Sequence, residues 1–176
     1  MFYQSDCQKQ NDNAAWFALY TRPRWEKKVE RQLVERGIES YLPVRQVSRQ
    51  WSDRQKLIDE PLFRGYVFVH GTPRERYDAA QTHGAVRFVS FNHQPAVIRD
   101  HEIDNIRRVL KEAPQVESCN HFAVGDRVEV ARGPLTGMQG CLIQVQNRWR
   151  LIITIDSIRQ GISFNVDSRD VKPVGN

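Results

Sequence analysis

Hydrophobic periodicity changes from strand to helix and back along the N-terminal part of the chain. Trp16-Phe17-Ala18-Leu19-Tyr20-Thr21 is an apolar, aromatic run of strand length, closed by Pro23, which has no N–H to give to a ladder. From Arg24 the spacing predicts a helix: Trp25, Val29, Leu33 and Val34 recur at three- and four-residue steps, and Gly37 supplies a left-handed stop. Tyr41-Leu42-Pro43-Val44 follows, then a polar stretch from Arg45 to Glu60 that holds Trp51 and reads as a hairpin with a long tip. Leu62 to Val69 is the strongest strand, nearly unbroken in apolar residues, and belongs at a sheet centre. A short helix is predicted after Pro73, a strand over Ala85-Val86-Arg87-Phe88-Val89-Ser90-Phe91, and a last helix capped by Asp100 with Ile103, Ile106, Val109 and Leu110 as its apolar stripe.

The pattern changes near residue 115. Residues 112–121 contain Pro114 and no apolar repeat, as a linker would. Beyond them Val128-Glu129-Val130, Cys141–Val145, Leu151–Ile155 and Ile162–Val166 are short, closely spaced strands separated by glycine and polar turns, the signature of a small barrel. Residues 1–13, rich in Gln and Asn, offer no periodicity and read as a tail. The expected architecture is an α+β domain over 14–111, an antiparallel sheet flanked by helices, joined by the linker to a small all-β barrel over 122–176.

With 40% hydrophobic and 27% charged residues the chain has the balance of an ordinary globular protein. A net charge of +5 favours encounters with polyanions, yet it is modest for a protein that holds a duplex mainly through phosphate contacts. Cys7, Cys119 and Cys141 are odd in number and widely spaced, with neither a disulfide framework nor a Cys-x-x-Cys pair, which suits a reducing compartment. No apolar run is long enough to span a bilayer and the first residues carry no signal-peptide pattern, so a cytoplasmic monomer without membrane contact is expected.

Catalysis finds no support in the residues. His70, His83, His93, His101 and His121 are scattered, none at metal-ligand spacing, and no nucleophile elbow, Walker-type loop or dinucleotide loop occurs; neither metal nor cofactor is expected. Strand parity is more informative. Trp16, Ala18 and Tyr20 share one face of the first strand; Leu62, Arg64, Tyr66 and Phe68 share one face of the other, with Phe63, Val67 and Val69 opposite. If the strands are neighbours, Tyr20, Tyr66 and Phe68 form one aromatic patch, which is either core or a docking surface for a partner helix. Arg22, Arg24, Lys27, Lys28 and Arg31 gather about the start of the first helix, where cations oppose the macrodipole; they are either a solvated face or a track for a phosphate backbone. In Gly133-Pro134-Leu135-Thr136-Gly137-Met138, glycines suit a sharp turn, while Leu135 and Met138 either meet a partner or fold inward.

Three segments together resemble the NusG/Spt5 family of transcription elongation factors: Trp16-Phe17-Ala18-Leu19-Tyr20, Glu60-Pro61-Leu62-Phe63-Arg64-Gly65-Tyr66-Val67-Phe68-Val69, and Val124-Gly125-Asp126-Arg127-Val128 with Gly133-Pro134-Leu135 and Gly140. Residues 16–111 look like its N-terminal (NGN) domain and residues 122–173 like its KOW domain. Tyr20-Thr21-Arg22-Pro23-Arg24, Glu60-Pro61-Leu62-Phe63 and Gln94-Pro95-Ala96-Val97-Ile98 are closest to specialised antiterminators of RfaH or UpxY type. The resemblance implies that an aromatic depression grips the clamp helices of RNA polymerase, keeps the clamp closed and suppresses pausing. By position Tyr20, Tyr66 and Phe68 would line it, with Trp16 and Phe63 near. It also implies that Arg22, Arg24 and Lys27 face upstream or non-template DNA, and that the KOW barrel recruits ribosomal protein S10 or Rho, with Ile158 and Arg159 at the partner-binding loop. Two features depart from the family: Arg64 stands where a proline is usual, and the segment from His70 to Gly84 is short and lacks a His-Thr-Thr run. The β-branched run from Leu151 to Val166 favours a stable barrel over a helical alternative. A second reading remains, an RNA- or ribosome-binding KOW protein whose aromatic strands are core.

Overall fold

The computed structural model describes residues 14–50, 55–113, 115–119 and 125–174; the expected tail over 1–13, Trp51 at the hairpin tip and Val124 lie outside them. In chain order the elements are β1 (Ala15–Thr21), α1 (Glu26–Glu35), β2 (Ser40–Tyr41), β3 (Val44–Gln50), β4 (Gln55–Pro61), β5 (Tyr66–Gly71), α2 (Pro73–Ala80), β6 (Ala85–Phe88), β7 (Ser90–Phe91), β8 (Gln94–Pro95) and β9 (Val97–Ile98). Then come α3 (Asp100–Glu112), β10 (Glu117–Cys119), β11 (Asp126–Val130), β12 (Gln139–Val145), β13 (Arg148–Ile155), β14 (Gln160–Asn165) and β15 (Val171–Pro173). They fall into two compact units, one built from the described residues up to Leu42 with Arg64–Asp100, the other from Pro43–Phe63 with His101 onward.

The first unit is an antiparallel sheet in the order β2-β5-β1-β6, with β9 pairing the start of β1. Period-two alternation divides its central strands cleanly. Leu19, Val67 and Val69 pack with Val29 and Leu33 of α1, Ile38, Leu42 and Ala79 of α2 into one buried cluster. Trp16, Ala18, Tyr20, Tyr66 and Phe68 therefore take the other face. Helix α1 starts two residues later than its apolar spacing suggests, because Arg24 turns left-handed at φ 65°. It stops as predicted: Gly37, at φ 73°, gives its N–H to the Val34 carbonyl at 2.9 Å, and Ile38 gives its own to Leu33 at 3.0 Å.

Helix α2 opens on a full capping box. The Thr72 hydroxyl accepts from Glu75 N–H, and the Glu75 carboxylate accepts from Thr72 N–H at 2.8 Å. Thr72→Ala is expected to lower stability by about 1 kcal/mol in urea denaturation. The two Thr72 hydrogen bonds hold the Glu75 carboxyl below its ordinary value of 4.5. The folded group binds its proton less readily than the unfolded one, so the carboxylate's share of the cap is complete above that value and is lost as pH falls through the lower, folded one.

Residues 85–91 form two strands rather than the single one predicted. β6 stays on β1, whereas β7 leaves to pair β8 through Asn92 and His93, both left-handed at φ 48° and 62°, a turn whose twist suits a two-residue hairpin.

In the second unit β3 and β4 form the predicted hairpin, in register from Val44 opposite Pro61 to Gln50 opposite Gln55. Glu60 holds Arg45 at 3.4 Å and Arg49 at 3.3 Å across it. Helix α3 buries Ile103, Ile106 and Val109 of the predicted stripe and leaves Leu110 half-buried, and Asp100, read as its cap, is its first residue. The barrel sheet runs β10-β14-β13-β12-β11-β15 around Val128, Val130, Leu151, Ile153, Ile155, Ile162 and Phe164, all buried. Glu117–Cys119, polar enough to read as linker, add a strand to β14, fastened by Glu117 to Arg150 at 2.8 Å.

Candidate docking surface

Tyr20 and Tyr66 sit directly opposite one another on β1 and β5, and antiparallel partners share a face. Their ring centroids are 5.4 Å apart, tilted by 59°. Tyr20 is 37% exposed and Tyr66 half-buried, whereas Phe68 behind them is 0% and Trp16 5% exposed. Ala18, opposite Phe68, is also fully buried, and Tyr41 of β2 stacks on Phe68 at 6.5 Å. Phe63 is fully buried. Of the five aromatic residues singled out from the sequence, the two tyrosines thus form the exposed pair, and Trp16, Phe63 and Phe68 lie in the interior.

Arg87 of β6 is opposite Tyr20 on the other side, so Tyr66, Tyr20 and Arg87 make one row across three strands. Arg87 is exposed and makes no ion pair among the described residues. Burial pushes the Tyr66 phenol up, Tyr20 pushes it the same way and Arg87 pulls it back. Tyr66 therefore stays a neutral donor and acceptor at ordinary pH. Sequence parity could not find Arg87, because the pairing of β6 with β1 is a long-range contact.

The turn entering β5 completes the floor of this surface. Gly65 has φ 81°, and a Cβ there would come within 3.0 Å of Tyr20 Cε2. Its carbonyl accepts from Thr21 N–H at 2.8 Å, and its N–H donates to Glu26 Oε1 at 2.8 Å. Glu26 is only 5% exposed although it stands in the first turn of α1. Arg64 is exposed on the same turn.

Arg22, Arg24, Lys27, Lys28 and Arg31 are all exposed, and none makes an ion pair among the described residues. Lys28 Nζ lies 4.7 Å over the Trp25 ring, which stacks on His83 at 4.7 Å and 27°. Lys28 therefore lies over an aromatic surface as well as facing solvent. In the barrel, Leu135, Met138 and Ile158 fold inward, at 9%, 1% and 7% exposed. Arg159 is exposed and left-handed at φ 51°, at the end of a single 3₁₀ turn over Asp156–Ile158. Among the described residues no cluster of three or more His, Cys, Asp or Glu could hold a metal ion, and no helix is long and apolar enough to cross a membrane.

The family model described as NusG, transcription termination factor nusG, matches residues 14–107, which hold the whole tyrosine surface and the basic group. The chain belongs to the NusG family. The transcription termination/antitermination protein NusG of Lactococcus lactis subsp. lactis (strain IL1403) is 22% identical over 173 residues, spanning 90% of this chain and 92% of that protein. A solved structure of Thermotoga maritima NusG superposes with a TM-score of 0.57 at 21% identity, covering 93% of this chain and 98% of that one. At that identity the likeness shows a common fold. This NusG-family chain thus carries the α+β domain and the strand-rich C-terminal domain of a family of transcription termination and antitermination factors.

Proposed function

We propose that this chain is a transcription elongation and antitermination factor of the specialised kind. Its N-terminal domain docks the clamp helices of RNA polymerase through Tyr20 and Tyr66, with Trp16 and Phe68 as the rigid support on the same sheet face, and suppresses pausing or termination. Its KOW domain recruits a second partner, ribosomal protein S10 or Rho, through the Asp156–Arg159 turn, where Asp156 and Arg159 are exposed and Ile158 is buried. It acts in the cytoplasm and transfers no chemical group. The observation that carries this reading is the tyrosine pair itself: two aromatic rings left partly in solvent on a sheet face where Trp16 and Phe68 are buried, beside the exposed Arg87. Such rings offer large contact area at low entropic cost to a partner helix.

Equilibrium binding of the full chain to core RNA polymerase, read with terminator read-through in a purified transcription reaction, tests the proposal. Tight binding and increased read-through are expected. A folded chain that binds RNA but not the polymerase would favour the RNA-binding reading instead.

The basic group at α1 is proposed to lie along upstream or non-template DNA. Replacing Lys27, Lys28 and Arg31 together by alanine is expected to weaken DNA binding and to flatten its log affinity against log salt slope by about 2 to 3, since each phosphate contact contributes about 0.7 to 0.9. An unchanged slope would identify these residues as a solvated helix face.

A further inference from the structure

We propose that Glu26 is the positioning residue of the tyrosine surface, fixing through Gly65 the pose in which Tyr20 meets its partner. The inference rests on the docking role proposed for Tyr20 and Tyr66.

Glu26 is unusual for its place. A glutamate in the first turn of an exposed helix normally points to water, where it complements the dipole. Here the side chain is 5% exposed, and its Oε1 accepts from the N–H of Gly65, 39 residues away in sequence, at 2.8 Å. A carboxylate withdrawn from water is costly unless it is hydrogen-bonded, so this contact has to be kept. The residue it holds is the one against which the Tyr20 ring lies. A Cβ on Gly65 would stand 3.0 Å from Cε2 and 3.6 Å from Cδ2 of Tyr20. The Gly65 carbonyl is tied in turn to the Thr21 N–H at 2.8 Å, one residue after Tyr20. Both polar groups of Gly65 are thereby engaged, one by α1 and one by β1, and the backbone is held at φ 81°, a conformation from which it would otherwise escape.

The consequence is geometric. Tyr20 lies on the last exposed position of β1 and has Tyr66 on one side at 5.4 Å, while the Gly65 backbone forms its floor. If the turn shifts, Tyr20 loses its support and the pair loses its fixed tilt. Ordering a ring at the moment of binding costs affinity that a pre-set ring does not lose. Glu26 touches no partner in this account; it acts through Gly65.

Three variants of the full chain test the proposal. Glu26→Leu removes the acceptor at similar volume, Glu26→Asp withdraws it by one methylene, and Glu26→Gln keeps an acceptor oxygen at the same reach. Amide hydrogen exchange at Gly65 is expected to accelerate about tenfold or more in the Leu and Asp variants, with shifted Tyr20 ring resonances and about tenfold weaker binding to core RNA polymerase. The Gln variant is expected to rescue all three. Should Glu26→Leu fail to fold, Glu26→Asp decides. Wild-type Gly65 exchange in the Asp variant would overturn the proposal. So would a Gln variant as loose as the Asp one, or a loosened Gly65 with unchanged affinity in any variant. If the wild-type chain does not bind polymerase, the docking reading fails, and Gly65 exchange with the Tyr20 resonances still decides whether Glu26 sets the ring.

Discussion

Replacing Tyr20 and Tyr66 together by alanine is expected to weaken binding to core RNA polymerase by about a thousandfold, since buried aromatic anchors at an interface commonly cost about 2 kcal/mol each. The expectation follows from where the rings are. They make one exposed pair at the end of two central strands, and a partner helix laid on them would bury both at once. The loss should come in binding and not in folding. Tyr20 is 37% exposed and Tyr66 half-buried, so their replacement opens no enclosed cavity, the stability cost should stay at about 2 kcal/mol for the pair, and circular dichroism should be unchanged. Tyr77→Ala is the control, because Tyr77 is 68% exposed on α2, whose packing is against the opposite face of the sheet. It should bind as the wild type does. An equal loss in the Tyr77 variant would show that any exposed aromatic matters, and the pair would lose its special role.

The second large effect belongs to the barrel. Gly140→Ala is expected to destabilise the KOW domain by about 3 kcal/mol, at the upper end of overpacking costs. Gly140 lies within β12 opposite Val128, and a Cβ there would overlap the Ile152 carbonyl oxygen and meet Leu151 Cγ at 3.1 Å. The first of these atoms is backbone, in a residue whose strand pairs with β12 at the neighbouring position, Cys141 to Ile152. It cannot swing away as a side chain could. A barrel of this size has little stability to spare, so the variant should expose Ile153 and Ile162 amides to exchange while Leu19 and Val67 stay protected. Polymerase binding should persist and recruitment of the second partner should fail.

The faces of the central sheet were legible because strand periodicity is two. The strand read over Leu62–Val69 begins only at Tyr66, because the chain turns at Gly65, left-handed at φ 81°, and Leu62 and Arg64 share no strand face with it. Within the part that is strand, parity puts Tyr66 and Phe68 with Tyr20, and the register seats Tyr20 on Tyr66. Depth on that face was not legible. Parity treats Phe68 and Tyr66 alike, whereas burial depends on what the rest of the chain lays over each, and Phe68 and Trp16 ended inside. Leu135, Met138 and Ile158 show the same limit in the barrel: an apolar residue on a turn reads the same whether it faces a partner or its own core.

Glu26 was hidden for a different reason. In sequence it is one more charge in Arg24-Trp25-Glu26-Lys27-Lys28, and only the approach of Gly65 from a distant turn shows that its carboxylate is enclosed. Short strands were misread where polar composition outweighed pairing, as in Glu117–Cys119, which is held by its neighbour β14 and by Arg150.

The most direct test of the central claim is a photocrosslink. A benzophenone amino acid placed at Tyr20 in the full chain, irradiated in complex with core RNA polymerase and mapped by mass spectrometry, should join the clamp helices, while the same group at Tyr77 should not. A chain that binds polymerase with the Tyr20 probe in place but crosslinks elsewhere, or not at all, would contradict the claim that the tyrosine pair is the docking surface.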